Sequence, residues 1–136
     1  EAINEFKIGK IRYIQRGTDI ALLSYGITIN LAFQIAQDLR SKGKSVSIIS
    51  AHTIKPLDVE GITEILGTHK SVTVIEEHVP HGGLGSRVKE IAWDNNADCE
   101  LKTFSLKDKF IHFYGSHQEL QIEHGLDPKI ITEVLS

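Results

Sequence analysis

Between Asp19 and Tyr25 the chain reads Asp-Ile-Ala-Leu-Leu-Ser-Tyr, a nearly continuous apolar run with no polar alternation. It is short, and it fits a strand covered on both faces. Gly26 ends it. From there Ile27, Leu31, Ala32, Ile35, Ala36 and Leu39 recur three and four residues apart, one apolar stripe of a helix. Gly43, just behind Arg40 and Lys42, is placed to stop that helix. Val46 to Ser50 is the next strand, which makes a β-α-β unit with a right-handed crossover. Upstream, Ile11-Arg12-Tyr13-Ile14-Gln15 alternates like a short edge strand. Residues 1–10 mix charge and apolar character without a period, so they read as a linker or lead-in to one domain over 11–136.

The second half repeats the same grammar. Asp58 is placed as the N-cap of a short helix whose apolar positions are Val59, Ile62, Ile65 and Leu66. Val72 to Glu76 is a further strand. Leu84, Val88, Ile91 and Ala92 share one helical face, with Trp93 beside it, and Leu101 to Ser105 is the last strand. Ser116-His117-Gln118-Glu119 fits a capping box for a short helix that Gly125 closes. Asp127-Pro128 opens a terminal helix with Pro at its first position and Ile131, Val134 and Leu135 on its apolar side. The order β-β-α-β-α-β-α-β-α-α predicts an α/β fold: a three-layer α/β/α domain around a five-stranded, mostly parallel sheet.

Composition narrows the class. The chain has 136 residues, enough for one core, with 40% hydrophobic and 24% charged residues. Its formal charge is −3 and no basic stripe is present, so neither nucleic acid nor an anionic membrane is expected as a partner. No apolar run is long enough to span a bilayer. Cys99 is the single cysteine, which excludes an internal disulfide and fits the cytoplasm. The chain begins at Glu1 and contains no Met, so it reads as a piece of a longer protein.

Candidate chemistry gathers after the Val72 strand, where Glu76-Glu77-His78 is followed by His81-Gly82-Gly83-Leu84-Gly85-Ser86. The carboxyl end of a strand is where open α/β sheets meet ligands and partners. The glycine turn has two readings. It lets a helix pack closely on the strand or touch a neighbouring domain, or its amides receive an anion at a helix start. It lacks the Lys-Ser/Thr of a P-loop and the spacing of a dinucleotide fingerprint. Successive strand residues point to opposite faces, which opposes Glu76 and Glu77 acting as an acid/base pair on one atom. The expectation is that one meets a helix cap or buried donor while the other faces solvent or a preceding domain. His78 and His81 with Glu77 lie in a loop without a third strong ligand, and His52 sits at another strand's carboxyl end. Ser24 lacks a nucleophile elbow, and Cys99 lies between Asp98 and Glu100, which raise a thiol pKa. The candidate residues are therefore Glu77, His78, His81, Gly82, Gly83, Gly85 and Ser86, as a domain-interface or anion loop, with no catalytic, cofactor-binding or metal-binding residue assigned.

Four stretches in order resemble the C-terminal domain of the transketolase family: Gly17-Thr18-Asp19-Ile20-Ala21-Leu22-Leu23-Ser24-Tyr25-Gly26; Ile54-Lys55-Pro56-Leu57-Asp58; Val74-Ile75-Glu76-Glu77-His78 with Gly82-Gly83-Leu84-Gly85-Ser86; and Tyr114-Gly115 to Gly125-Leu126-Asp127. Lys107-Asp108-Lys109-Phe110 with Gly115 resembles an element of synthase-like and split members, with Lys107 where some relatives carry proline. The resemblance implies that the first strand is antiparallel at a sheet edge. It implies a homodimeric parent that moves two-carbon ketol units between sugar phosphates with thiamine diphosphate and Mg. Both preceding domains, or a partner subunit, would hold that cofactor, and the glutamate that acts on its aminopyrimidine would lie there, so neither Glu76 nor Glu77 is that residue. The chain alone would be an architectural, non-catalytic part. The alternatives are the same domain of a 2-oxoacid dehydrogenase beta subunit or of a deoxyxylulose-phosphate synthase, or a free-standing anion- or nucleotide-binding regulatory module.

Overall fold

The computed structural model describes residues 8–52, 56–77, 83–105 and 126–136. Five strands form one sheet in the order β1-β3-β2-β4-β5. They are β1 (Arg12–Gln15), β2 (Ile20–Ser24), β3 (Val46–Ser50), β4 (Ser71–Ile75) and β5 (Glu100–Phe104). β1 runs antiparallel to β3 at one edge, with an irregularity between Tyr13 and Gln15, and every other pairing is parallel. β2 is central and buried along its whole length, as its unbroken apolar run requires.

Strand alternation sorts the core into two layers. Ala21, Leu23, Ile49, Val72 and Val74 face one side, where α2 (Val59–Thr68) and α3 (Leu84–Asp94) cover them with Ile62, Ile65, Leu66, Leu84, Val88 and Ile91. Ile20, Leu22, Val46, Ile48 and Ile75 face the other side, under α1 (Thr28–Ser41) and α4 (Pro128–Leu135). The architecture is the three-layer α/β/α domain expected, with the antiparallel strand at the edge. The helix expected over 116–125 lies outside the described residues, as does 1–7 of the lead-in.

Local chemistry sets the boundaries. α1 ends in a left-handed glycine, Gly43 at φ +85°, and Lys44 N donates to Leu39 O at 3.1 Å. α3 uses Asn96 at φ +50° the same way, with Ala97 N donating to Ala92 O at 2.9 Å. Asp58 caps α2 by accepting from Gly61 N at 2.9 Å, and its second oxygen accepts from Ile11 N at 3.0 Å, tying α2 to the entry of β1. Asp127 caps α4 at Lys129 N, with Pro128 at the first helical position. Before β2 the chain passes so close to β3 that a Cβ on Gly17 would lie 2.4 Å from Val46 N. The last ladder residue of β4 is Ile75, one short of Glu76, although Glu76 N still donates to Phe104 O at 3.0 Å.

Candidate functional site

At the carboxyl edge of the sheet the chain leaves β4 through Glu76, which is 2% exposed. Its backbone is still held by Phe104, so its side chain turns toward the α2/α3 layer and meets the start of α3. Oε1 accepts from Leu84 N at 2.8 Å and Oε2 from Gly85 N at 2.7 Å. A helix start presents unpaired amides and a positive dipole end, and a carboxylate answers both. The N-cap residue of α3, Gly83, has no side chain to do this, so a residue far back in sequence does it instead.

Close approach makes the arrangement possible. A Cβ on Gly85 would lie 2.9 Å from Glu76 Oε2 and 3.1 Å from Thr103 Cγ2. Gly83, at φ −90° and ψ −171°, is extended backbone that any residue adopts. Gly85 therefore gives α3 room to sit on Glu76 and β5, and the backbone of Gly83 does not itself require a glycine.

A polar cluster ties this cap to β2. The Tyr25 hydroxyl donates to Glu76 Oε1 at 3.3 Å. Burial, with the charges of Glu76 and Glu77 and the hydrogen bond to Glu76, pushes the Tyr25 phenol from 10.0 up to about 12. Beside it, Ser24 Oγ lies 2.6 Å from Thr28 Oγ1 and donates to Ile75 O at 2.8 Å, and Thr28 Oγ1 donates to Tyr25 O at 2.7 Å. Ser24 is thus a wholly buried structural hydroxyl at the junction of β2, β4 and α1.

The candidate residues of the sequence fall into two groups. Glu77 lies within electrostatic range of Tyr25, and Gly83, Gly85 and Ser86 begin α3 at the same edge. His78, His81 and Gly82 lie outside the described residues. The amides of Leu84 and Gly85, which an anion at the glycine turn would use, already hold the Glu76 carboxylate. Among the described residues no group of three or more His, Cys, Asp and Glu is placed to hold a metal ion. With both Glu76 oxygens committed to amides, these residues offer no fit for thiamine diphosphate or its metal, and no chemical step is derived through either. The Cys99 thiol is pushed up mainly by burial, with Asp98 adding to it. Sequence reasoning missed Tyr25 and Thr28 as members of the cluster; the only signal was a Tyr-Gly pair closing an apolar strand.

The family model described as "Transketolase, C-terminal domain" matches residues 9–131. The chain belongs to the transketolase C-terminal domain family. It is 34% identical over 134 residues to the 1-deoxy-D-xylulose-5-phosphate synthase of Shouchella clausii, covering 98% of this chain and 21% of that protein. It is 35% identical over 127 residues to the synthase of Geobacillus thermodenitrificans, covering 93% of this chain and 20% of that one. The chain therefore spans about a fifth of the length of the curated relatives it matches. A solved structure described as a split-gene transketolase in an inactive beta4 tetramer superposes with a TM-score of 0.81 at 24% identity, over 96% of this chain and 41% of that one. At that identity the likeness speaks for the fold. No helix among the described residues is long and apolar enough to cross a membrane.

Proposed function

We propose that this chain is the supporting, non-catalytic C-terminal domain of a transketolase-family enzyme that transfers two-carbon ketol units between sugar phosphates. Preceding domains or a partner subunit of the same enzyme hold thiamine diphosphate and Mg, in a cytoplasmic homodimer. The observation that carries this reading is the capped α3 start: Glu76 takes the amides of Leu84 and Gly85 internally, so neither is open to an anion. At the carboxyl edge of the sheet Glu77, Gly83, Gly85 and Ser86 meet the preceding domain; His78, His81 and Gly82, which belong to the same sequence motif, lie outside the described residues. The names of the curated relatives at 34 and 35% identity favour a second reading of the parent, as a 1-deoxy-D-xylulose-5-phosphate synthase.

The test is association with the cofactor-binding portion of the same enzyme, made as a separate polypeptide. Binding in the micromolar range is expected, with amide exchange slowed around Tyr25, His52 and Glu77. Failure to associate, or protection confined to the opposite, amino edge of the sheet, overturns the docking surface. Supplying the assembled enzyme with pyruvate and glyceraldehyde phosphate, against a ketose and aldose phosphate pair, separates the two parent chemistries.

A further inference from the structure

His69 is the C-cap residue of α2, and its imidazole is buried. Nothing in the proposed function uses it. Nδ1 stands 3.1 Å from Ile65 O and 3.1 Å from Thr68 Oγ1, and Nε2 stands 2.9 Å from Ser47 Oγ on β3. A carbonyl oxygen only accepts, so the Ile65 contact requires a hydrogen on Nδ1. The Thr68 hydroxyl donates to Glu64 O at 2.9 Å, which leaves Thr68 Oγ1 as a second acceptor for that Nδ1–H. Nε2 is therefore the ring position where a proton comes and goes. The carboxyl end of a helix favours the charged ring.

Ser47 is wholly buried and meets both polar groups of Gly17. Its Oγ accepts from Gly17 N at 2.8 Å and lies 3.0 Å from Gly17 O. A hydroxyl has one hydrogen and two lone pairs. When the His69 ring is neutral, Nε2 and Gly17 O are both acceptors, and they compete for that one hydrogen. When the ring is protonated, Nε2–H donates to Ser47 Oγ, the Ser47 hydroxyl turns to Gly17 O, and all three contacts are filled together. The place matters because it is where the chain enters β2 at the amino edge of the sheet. Thr18 N donates to Ser45 Oγ at 3.0 Å and Asp19 N to Ser45 O at 2.9 Å, which seams the same stretch to β3.

We infer that His69 and Ser47 form a proton switch on Gly17: a second proton on His69 turns the Ser47 hydroxyl from the ring to Gly17 O, and its loss turns it back. The switch makes the entry of β2 respond to pH, and it does not rest on the function proposed above. Among the described residues, the hydrogen bonds of the ring run to Ser47, Thr68 and Ile65, none of them charged. The titratable and charged groups around it are Lys70, Asp98 and Cys99, which line with it a cleft of about 610 Å³ between the ends of α2 and α3. Asp19 pairs with Lys70 at 3.6 Å from the β2 side. Glu64 lies on α2 itself, within electrostatic range of Tyr13 on β1, whose ring carries Arg16.

The experiment is an NMR titration of the isotope-labelled chain across the range where histidine changes charge, about pH 5 to 8. It follows the His69 ring nitrogens and the Gly17 carbonyl carbon in wild type, Ser47→Ala and Ser45→Ala. In wild type, Nδ1 should stay protonated throughout, Nε2 should gain its proton as pH falls, and the Gly17 carbonyl should shift with the same midpoint. In Ser47→Ala the ring should still titrate while the Gly17 carbonyl stays flat. In Ser45→Ala, which removes the neighbouring Thr18 contact and leaves Ser47 in place, the shared midpoint should persist. A neutral ring protonated at Nε2, a ring that does not titrate in this range, or a Gly17 carbonyl that does not follow it would overturn the switch from wild type alone, whether or not the variants fold. Coupling that survives Ser47→Ala would overturn it as well.

Discussion

Replacing Gly85 by Ala should destabilise the protein, although helix propensity alone argues the reverse. Within a helix, Ala is favoured over Gly by about 1 kcal/mol. Here the new Cβ would meet Glu76 Oε2 at 2.9 Å and Thr103 Cγ2 at 3.1 Å. The oxygen cannot swing aside at little cost, because both Glu76 oxygens are pinned to amides of the same helix. Relief requires α3 to move off β5, which stretches the 2.7 Å contact from Gly85 N. Overpacking costs about 1–3 kcal/mol, and weakening a buried charged hydrogen bond adds up to about 2 kcal/mol. After subtracting the propensity gain, a net loss of about 2 kcal/mol is expected, or about 6 °C in Tm for a domain of this size. The comparison is Gly67→Ala in α2, where a Cβ would meet nothing within 4 Å. That change should stabilise by about 0.5–1 kcal/mol. Urea unfolding of both variants, with slopes compared to wild type, is the assay. If Gly85→Ala stabilises as Gly67→Ala does, the packing of α3 on Glu76 is not as described.

Three other outcomes follow from the same geometry. Raising the folded pKa of Tyr25 means that its stabilising contribution is complete below pH 10 and fades as pH rises toward about 12; in Glu76→Gln, ultraviolet titration should show that phenol ionising at lower pH but still above 10.0, because burial is the larger cause and persists. Gly17→Ala puts a Cβ 2.4 Å from the Val46 backbone nitrogen, in a central strand that cannot yield, so a loss above about 3 kcal/mol is expected by denaturant unfolding. Asp19, held below the ordinary carboxylate range first by the backbone amide of Ser45 and also by Lys70, contributes above its unfolded pKa and loses that as pH falls through its folded one; Asp19→Asn should flatten the acid limb of the stability profile.

The fold was legible because its determinants are local. The apolar run of β2, the stripe of α1, the Gly43 stop and the Asp58 and Asp127 caps each lie within a few residues of what they control. The site was only half legible, because its determinants are not. Glu76 could be read as a carboxylate ending a strand before a glycine turn, but its partners are amides eight and nine residues later and a hydroxyl 51 residues earlier. No periodicity spans those separations. Nothing local in the sequence marks Gly85 as the glycine whose Cβ would meet Glu76 and Thr103. The same holds for Gly17, whose constraint is a backbone on another strand.

The account's central claim is that this domain supports an active centre gripped elsewhere. The most direct measurement is calorimetry of the chain with thiamine diphosphate and Mg, run beside a turnover assay with sugar phosphates. No saturable heat and no product are expected from the chain alone. Tight cofactor binding or measurable ketol transfer by these 136 residues would contradict the claim.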